Sequence, residues 1–179
     1  MILSGMRLEL ARGVIRSWDP GDASALAEGA NNRKVWLKLR DLMPHPYTME
    51  DAEAYLRTVA ADGPKLSLCI EVDGKAAGAI GLNFGSDVHR LTAEVGYWLA
   101  EPFWGRGLMT EALVGFIDYS FHSFALRRIF ASVYSNNLGS ARVLEKAGFQ
   151  FEGIMRQNVI KDGQILDSLL YARVRDREA

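Results

Sequence analysis

The sequence predicts an α/β (α+β) domain, a mixed sheet with helices on both faces. Three observations point there. Elements alternate along the chain as strand, helices, three strands, helix, strand, helix and two strands, about seven strands in all. Two Asp-Gly pairs, Asp73-Gly74 and Asp162-Gly163, separate apolar runs as two-residue hairpin turns do. An aromatic strand that breaks at Glu101-Pro102 passes through Gly105-Arg106-Gly107 into a helical pattern.

Arg7 to Arg16 reads as a first strand. Asp19-Pro20-Gly21-Asp22 is a turn, and either aspartate can cap the short Ala-Leu helix that follows. Lys34 to Leu42 places Val35, Trp36, Leu39 and Leu42 at helical spacing. Met43-Pro-His-Pro-Tyr47 breaks any helix, because two prolines stand two apart. Thr48 with an acid three residues on predicts a capped start, and Ala52, Tyr55, Leu56 and Val59 mark one face of the next helix. Strands are expected over Leu66–Val72, Lys75–Leu82 and Leu91–Ala100. A helix over Leu108–Phe121 carries the stripe Met109, Ala112, Leu113, Phe116 and Ile117, with Glu111 in the first turn to suit the dipole. Arg128–Tyr134 is a strand, and Asn137–Ala147 is a helix closed by Gly148. Phe149–Lys161 and Gln164–Arg173 form the last hairpin. No linker or repeat divides residues 1–179, so one domain is expected.

Composition narrows the function classes. The chain has 179 residues, 49% hydrophobic and 24% charged, an ordinary globular balance. Its net charge of −1 gives no global field to recruit nucleic acid or an anionic membrane, and a ribosome would need a local patch. The one cysteine, Cys69, excludes an intrachain disulfide and lies in an apolar run, where it reads as buried filler rather than a nucleophile. Met-Ile-Leu-Ser-Gly-Met lacks the features of a signal peptide, and no run approaches about 18 apolar residues. The expected location is the cytoplasm. His45, His89 and His122 show no metal-ligand spacing, so no metal is expected.

A strand feeding a glycine turn that opens a helix is a phosphate-binding design. Glycines let the backbone approach the ligand, and the first helical amides have no partner of their own. Arg106 adds a fixed cation. The spacing is neither the dinucleotide fingerprint nor a P-loop, and a strand meander precedes it rather than a βαβ unit.

Trp104-Gly-Arg-Gly-Leu-Met109 resembles the acyl-CoA pyrophosphate loop of the GNAT N-acetyltransferases, Gln/Arg-x-x-Gly-x-Gly/Ala. Ala93-Glu-Val-Gly-Tyr-Trp-Leu99 and Asn137-Leu-Gly-Ser-Ala-Arg-Val-Leu-Glu-Lys-Ala-Gly-Phe149 resemble the RimJ/RimL-type branch, whose named members acetylate ribosomal-protein N-termini. The resemblance runs from about Leu8 to Arg173. The chain departs from the pattern at Trp104, where Gln or Arg is usual, and at Met109, where Gly or Ala is usual. Met109 can still offer its amide if its side chain points away.

The resemblance implies the GNAT fold, with a mostly antiparallel sheet, and acetyl-CoA as acyl donor. It implies that amides from Gly105, Arg106, Gly107, Leu108, Met109 and Thr110 hold the pyrophosphate, and that Trp98, Leu99 and Ala100 bond the pantetheine arm. Asn137 would contact CoA as well as cap its helix, and Lys146 would meet a phosphate or else sit solvated at a helix end. Glu94 is the candidate general base, against the alternative of an outward-facing or salt-bridged strand glutamate. Ser140 is the candidate proton donor to the thiolate, against a helix-start role alone. The tyrosine that many GNAT enzymes use one turn later is Leu144 here. His45 and Tyr47 would line the acceptor mouth, against the alternative of ordinary loop residues, and Trp36, Phe84 and Tyr97 its apolar walls, against the alternative of core aromatics.

An α-amine of pKa ~7.7–8.0 is roughly a tenth neutral at pH 7, whereas a lysine amine at ~10.4 is below a thousandth. A site with one base therefore suits a protein N-terminal α-amine. A small amine (amino acid, polyamine or aminoglycoside) is the alternative acceptor. A non-catalytic acyl-CoA-binding module is the alternative class. The sequence leaves a homodimer open.

Overall fold

The computed structural model describes residues 6–60 and 65–175. Eight strands form one sheet: β1 (Arg7–Glu9), β2 (Val14–Arg16), β3 (Lys65–Val72), β4 (Lys75–Phe84), β5 (Thr92–Leu99), β6 (Arg128–Tyr134), β7 (Gln150–Lys161) and β8 (Gln164–Val174). Their order is β1-β2-β3-β4-β5-β6-β8-β7. Every neighbouring pair is antiparallel except β5 with β6. The expected first strand is a hairpin instead, folded at Ala11-Arg12, which makes eight strands where about seven are expected. Both Asp-Gly turns hold positive φ at each position, 50° and 76° at Asp73-Gly74 and 51° and 74° at Asp162-Gly163. That is the type I′ geometry whose twist matches the strands it joins.

The helices are α1 (Ala23–Ala30), α2 (Arg33–Trp36), α3 (Met49–Val59), α4 (Leu108–Ser123) and α5 (Leu138–Lys146). They divide between the two faces of the sheet. On one face α4 and α5 bury Met109, Ala112, Leu113, Phe116, Ile117, Ala141 and Leu144 against Ile80, Leu82, Val95 and Ile129. The stripe read on α4 is this core, and each fully buried large side chain there stabilises by about 1.5–3 kcal/mol. On the other face α1 and α3 enclose a smaller cluster of Leu26, Ala30, Tyr47, Ala52 and Leu56, with Trp98 packed on it. Cys69 is fully buried, and burial pushes its thiol up to about 12, as expected of a core cysteine.

Caps follow the sequence in part. Thr48 and Asp51 form the full capping box of α3. Asp19 caps a 3-10 turn at Pro20–Asp22, while Asp22 gives α1 no side-chain cap. Asp22 instead bonds Arg16 at 2.7 and 2.8 Å, and Arg16 also reaches Glu71, which ties the start of α1 to the sheet. The helix expected over Lys34–Leu42 stops at Trp36. Beyond it Lys38 and Leu39 donate to the carbonyls three residues back, and Leu42 is 86% exposed. Of the four residues at helical spacing only Val35 is buried, so the pattern has no continuous face to cover beyond Trp36.

Candidate active site

Strands β5 and β6 pair only over Thr92–Glu94 with Arg128–Phe130 and then part. Pairing on the other side of β5 continues to Leu99, so a gap opens inside the sheet. The hydrogen bonds show which groups face it. Gly85 N–H donates to Thr92 O at 2.8 Å and Ala100 N–H to Ala77 O at 2.8 Å. Antiparallel bonding alternates, so residues 92, 94, 96, 98 and 100 turn their amides and carbonyls to β4. Val95, Tyr97 and Leu99 turn theirs toward the gap. Trp98 and Ala100 were expected to offer backbone bonds there, and the register points both away. Of the Leu99 groups, the carbonyl accepts from Trp104 Nε1 at 2.8 Å. Past Val95, which adjoins the segment paired with β6, that leaves the Tyr97 amide and carbonyl and the Leu99 amide directed into the gap.

At the open end of the gap lies the glycine turn. Gly105 and Gly107 have φ of +74° and +76°, a region that only glycine enters without strain. Gly107 is the N-cap of the 16-residue α4 and supplies no side-chain cap. Glu111 N–H closes the first helical bond on Gly107 O at 3.1 Å. The Leu108, Met109 and Thr110 amides precede that bond and lack an intrahelical acceptor. Met109 is 9% exposed with its side chain in the core, so its departure from the family pattern costs the turn nothing. Arg106 is exposed beside the Phe103 ring. Sequence reasoning missed Arg12. The β1–β2 turn brings its Nη1 to 3.4 Å from where a Cβ on Gly107 would sit, and to 3.2 Å from Glu111. Glu111 also accepts from the Ala11 amide, so it anchors this turn besides suiting the helix dipole. Two positive glycines, three unpartnered amides and two arginines fit a pyrophosphate.

Glu94 and Ser140 lie on opposite faces of the sheet beside this gap. Glu94 is the last β5 residue paired with β6 and shares the α1 face with Trp98. Its carboxylate accepts from Arg40, an ion pair that leaves it 19% exposed. Ser140 stands in the first turn of α5, whose N-cap Asn137 accepts from Ser140 N–H. Ser140 Oγ is 2.8 Å from Tyr97 OH. Leu144 is fully buried, so nothing polar comes from the position one turn on. Lys146 is exposed at the far end of α5.

The residues expected around the acceptor divide. Trp36 and His45 stack with centroids 5.7 Å apart, and Lys161 Nζ sits 3.5 Å from the centre of the Trp36 ring. Lys161, 3% exposed at the tip of the β7–β8 hairpin, also donates to Asp41 at 2.5 Å. Lys161 and Asp41 also line, with Arg40, Tyr134 and Asn158 among others, a cavity of about 340 Å3. Three expectations are corrected. Tyr47 is 5% exposed in the α1–α3 core, where burial pushes its phenol up to about 12, so it is packing and not a mouth residue. Phe84 faces α4 and packs edge-on against Phe124 with centroids 5.0 Å apart. Tyr97 faces α5 rather than the acceptor side. All three follow from which side of the chain meets a helix, which aromatic content alone does not say. A second concavity, about 640 Å3, lies under the C-terminal end of α4 around Asp118, His122 and Arg173, remote from the gap.

Among the described residues no three His, Cys, Asp or Glu side chains gather to hold a metal ion, and no helix is long and apolar enough to cross a membrane.

Comparison with known proteins agrees with this geometry. The Bacillus subtilis probable N-acetyltransferase YjcK is 54% identical over 72 residues, 40% of each chain. The putative ribosomal N-acetyltransferase YdaF of the same organism is 30% identical over 169 residues, 88% of each chain. The chain spans 40%, 56% and 60% of three curated relatives it matches, less than two thirds of each. Mycobacterium smegmatis RimJ, solved in complex with CoA-disulfide, superposes with a TM-score of 0.81 at 27% identity, over 95% of this chain and 86% of that one. The expected fold is therefore the observed one. The acetyltransferase (GNAT) domain model matches residues 12–150, and the chain belongs to that family.

Proposed function

We propose that the chain is an acetyl-CoA-dependent N-acetyltransferase acting on the α-amine of a protein N-terminus. One observation carries the reading: a carboxylate and a serine hydroxyl flank, from opposite faces, a sheet gap that ends at an anion-binding helix start. YdaF's name as a putative ribosomal acetyltransferase supports the acceptor class.

In this reading the α4 amides with Arg106 and Arg12 hold the pyrophosphate. The Tyr97 and Leu99 backbone groups hold the pantetheine arm in the gap, so the thioester lies between Glu94 and Ser140. The acceptor enters from the side of Trp36, His45 and Arg40. Its neutral nitrogen attacks the thioester carbon, a C–N bond forms and the C–S bond breaks. Glu94 takes the amine proton directly or through one water, with Oε2 available because Arg40 engages Oε1. Ser140 Oγ gives a proton to the departing sulfur and regains one from solvent. Holding both reactants in line can supply ~7–11 kcal/mol of the barrier.

The proposal takes the chain as a single cytoplasmic domain with no nucleic-acid or membrane partner. A homodimer is its assembly, covering Phe151, Ile154, Ile160 and Ile165, which stand 52–68% exposed on the outer β7–β8 hairpin. The small-amine alternative keeps one specific support, the exposed Asp41 at the cavity rim, whose Oδ2 is left for a second ammonium while Lys161 engages Oδ1.

The pH dependence of Glu94→Gln tests base and acceptor together. The substitution keeps the shape and removes the base. With a Ser- or Ala-initial peptide the variant should be slow at pH 7 and recover as pH rises toward 9, since an α-amine of pKa ~7.7–8.0 then deprotonates in bulk water. With a lysine-like acceptor, recovery should begin only nearer pH ~10.4. A ratio of kcat/KM between wild type and variant that does not change with pH would leave Glu94 as Arg40's structural partner.

A further inference from the structure

We propose that Tyr97 is a positioning residue for Ser140: its phenol donates to Ser140 Oγ and so turns the serine proton into the gap between β5 and β6. This rests on the reading of Ser140 as proton donor. The two residues are 43 apart in sequence and are fixed by separate elements. Tyr97 lies opposite Ile80 in the β4–β5 register, with its ring packed on the α4–α5 core. Ser140 is held by its amide, which donates to Asn137 O at 3.1 Å and to Asn137 Oδ1 at 3.4 Å. Neither partner can drift without disturbing a strand or a helix start.

The direction of the bond decides its use. Each hydroxyl carries one proton. Were Ser140 the donor, its proton would lie on Tyr97 oxygen and be lost to the sulfur. A phenol is the more acidic hydroxyl and the better donor, and the 2.8 Å contact matches an ordinary O–H···O bond. The other acceptor within reach, Ser140 O, is farther at 3.4 Å. Burial pushes the Tyr97 phenol up, although the bond to Ser140 opposes this, so the phenol stays protonated. That also excludes a relay that would leave a buried phenolate. Tyr97 keeps its proton throughout, while Ser140 gives its own to the thiolate and is replenished from solvent. As negative charge grows on Ser140 Oγ, the Tyr97 bond strengthens, which favours the transition state over the ground state.

The test compares Tyr97→Phe, Ser140→Ala and the double variant by thiol release from acetyl-CoA with a Ser-initial peptide. Tyr97→Phe keeps the ring and removes only the hydroxyl. One neutral hydrogen bond predicts a roughly three- to tenfold fall in kcat, with KM for acetyl-CoA changed less than about twofold. In the Ser140→Ala background the same change should add no further loss. An unaltered kcat in Tyr97→Phe, or an equal loss with and without Ser140, overturns the inference. A Ser140→Ala enzyme as fast as wild type overturns the Ser140 reading and this inference with it. A slow Ser140→Ala beside a silent Tyr97→Phe overturns this inference alone. A second measurement needs neither turnover nor a stable Tyr97 variant. In protein carrying tyrosine labelled with 13C at Cζ, the Tyr97 resonance should move in Ser140→Ala, and an unmoved resonance overturns the bond.

Discussion

Gly107→Asp should abolish acetyl-CoA binding while the protein stays folded. Gly107 is the N-cap of α4 at φ +76°, and a Cβ there would meet only Arg12 Nη1, 3.4 Å away. The left-handed backbone costs an aspartate about 1 kcal/mol or more. Against that, aspartate would gain Arg12 as an ion partner. Its carboxylate would then crowd the helix start that the pyrophosphate needs and repel the incoming charge. Calorimetry should show no measurable heat of binding for a variant whose thermal melt stays close to wild type. Binding at wild-type affinity would remove the pyrophosphate from this turn.

Ser140→Ala should lower kcat by ~10²–10⁴-fold, the usual worth of a positioned proton donor, with acetyl-CoA affinity nearly unchanged. The helix should survive the change, because Asn137 Oδ1 caps through the Ser140 amide and not its hydroxyl. The loss should therefore fall on kcat rather than on the melting temperature. Leu144, buried on the same helix, offers no substitute donor. A variant within about twofold of wild type would leave Ser140 with its place in the first turn of α5 and pass the proton to solvent.

The parts of the fold that local chemistry dictates are legible in the sequence. Asp73-Gly74 and Asp162-Gly163 fix their turns through two residues, and the α4 stripe repeats over four turns of helix. The Ala11-Arg12 turn lacks a strong two-residue signal, so β1 and β2 read as one strand. Val35, Trp36, Leu39 and Leu42 keep helical period, but of the four only Val35 is buried and Leu42 is exposed, so the period outruns the surface it could cover. The glycine turn was readable for the same reason as the hairpins. The backbone groups facing the gap were not, because they depend on where β5 and β6 part and on the register with β4. Arg40 meets Glu94 across 54 positions, and Tyr97 meets Ser140 across 43. Such pairs arise from the sheet order, which no local pattern encodes. Tyr47 and Phe84 were misplaced for the converse reason: aromatic residues near a cleft in sequence were already engaged by α1, α3 and α4.

The most direct measurement is thiol release from acetyl-CoA across an amine panel: Ser- and Ala-initial peptides, the same peptides with blocked N-termini, a polyamine and a free amino acid. The account predicts turnover with the free peptides, loss of turnover when their α-amines are blocked, and mass spectrometry placing the acetyl group on the N-terminal nitrogen. Turnover confined to the polyamine or amino acid would contradict the acceptor. Tight acetyl-CoA binding with no turnover of any amine would contradict the enzyme.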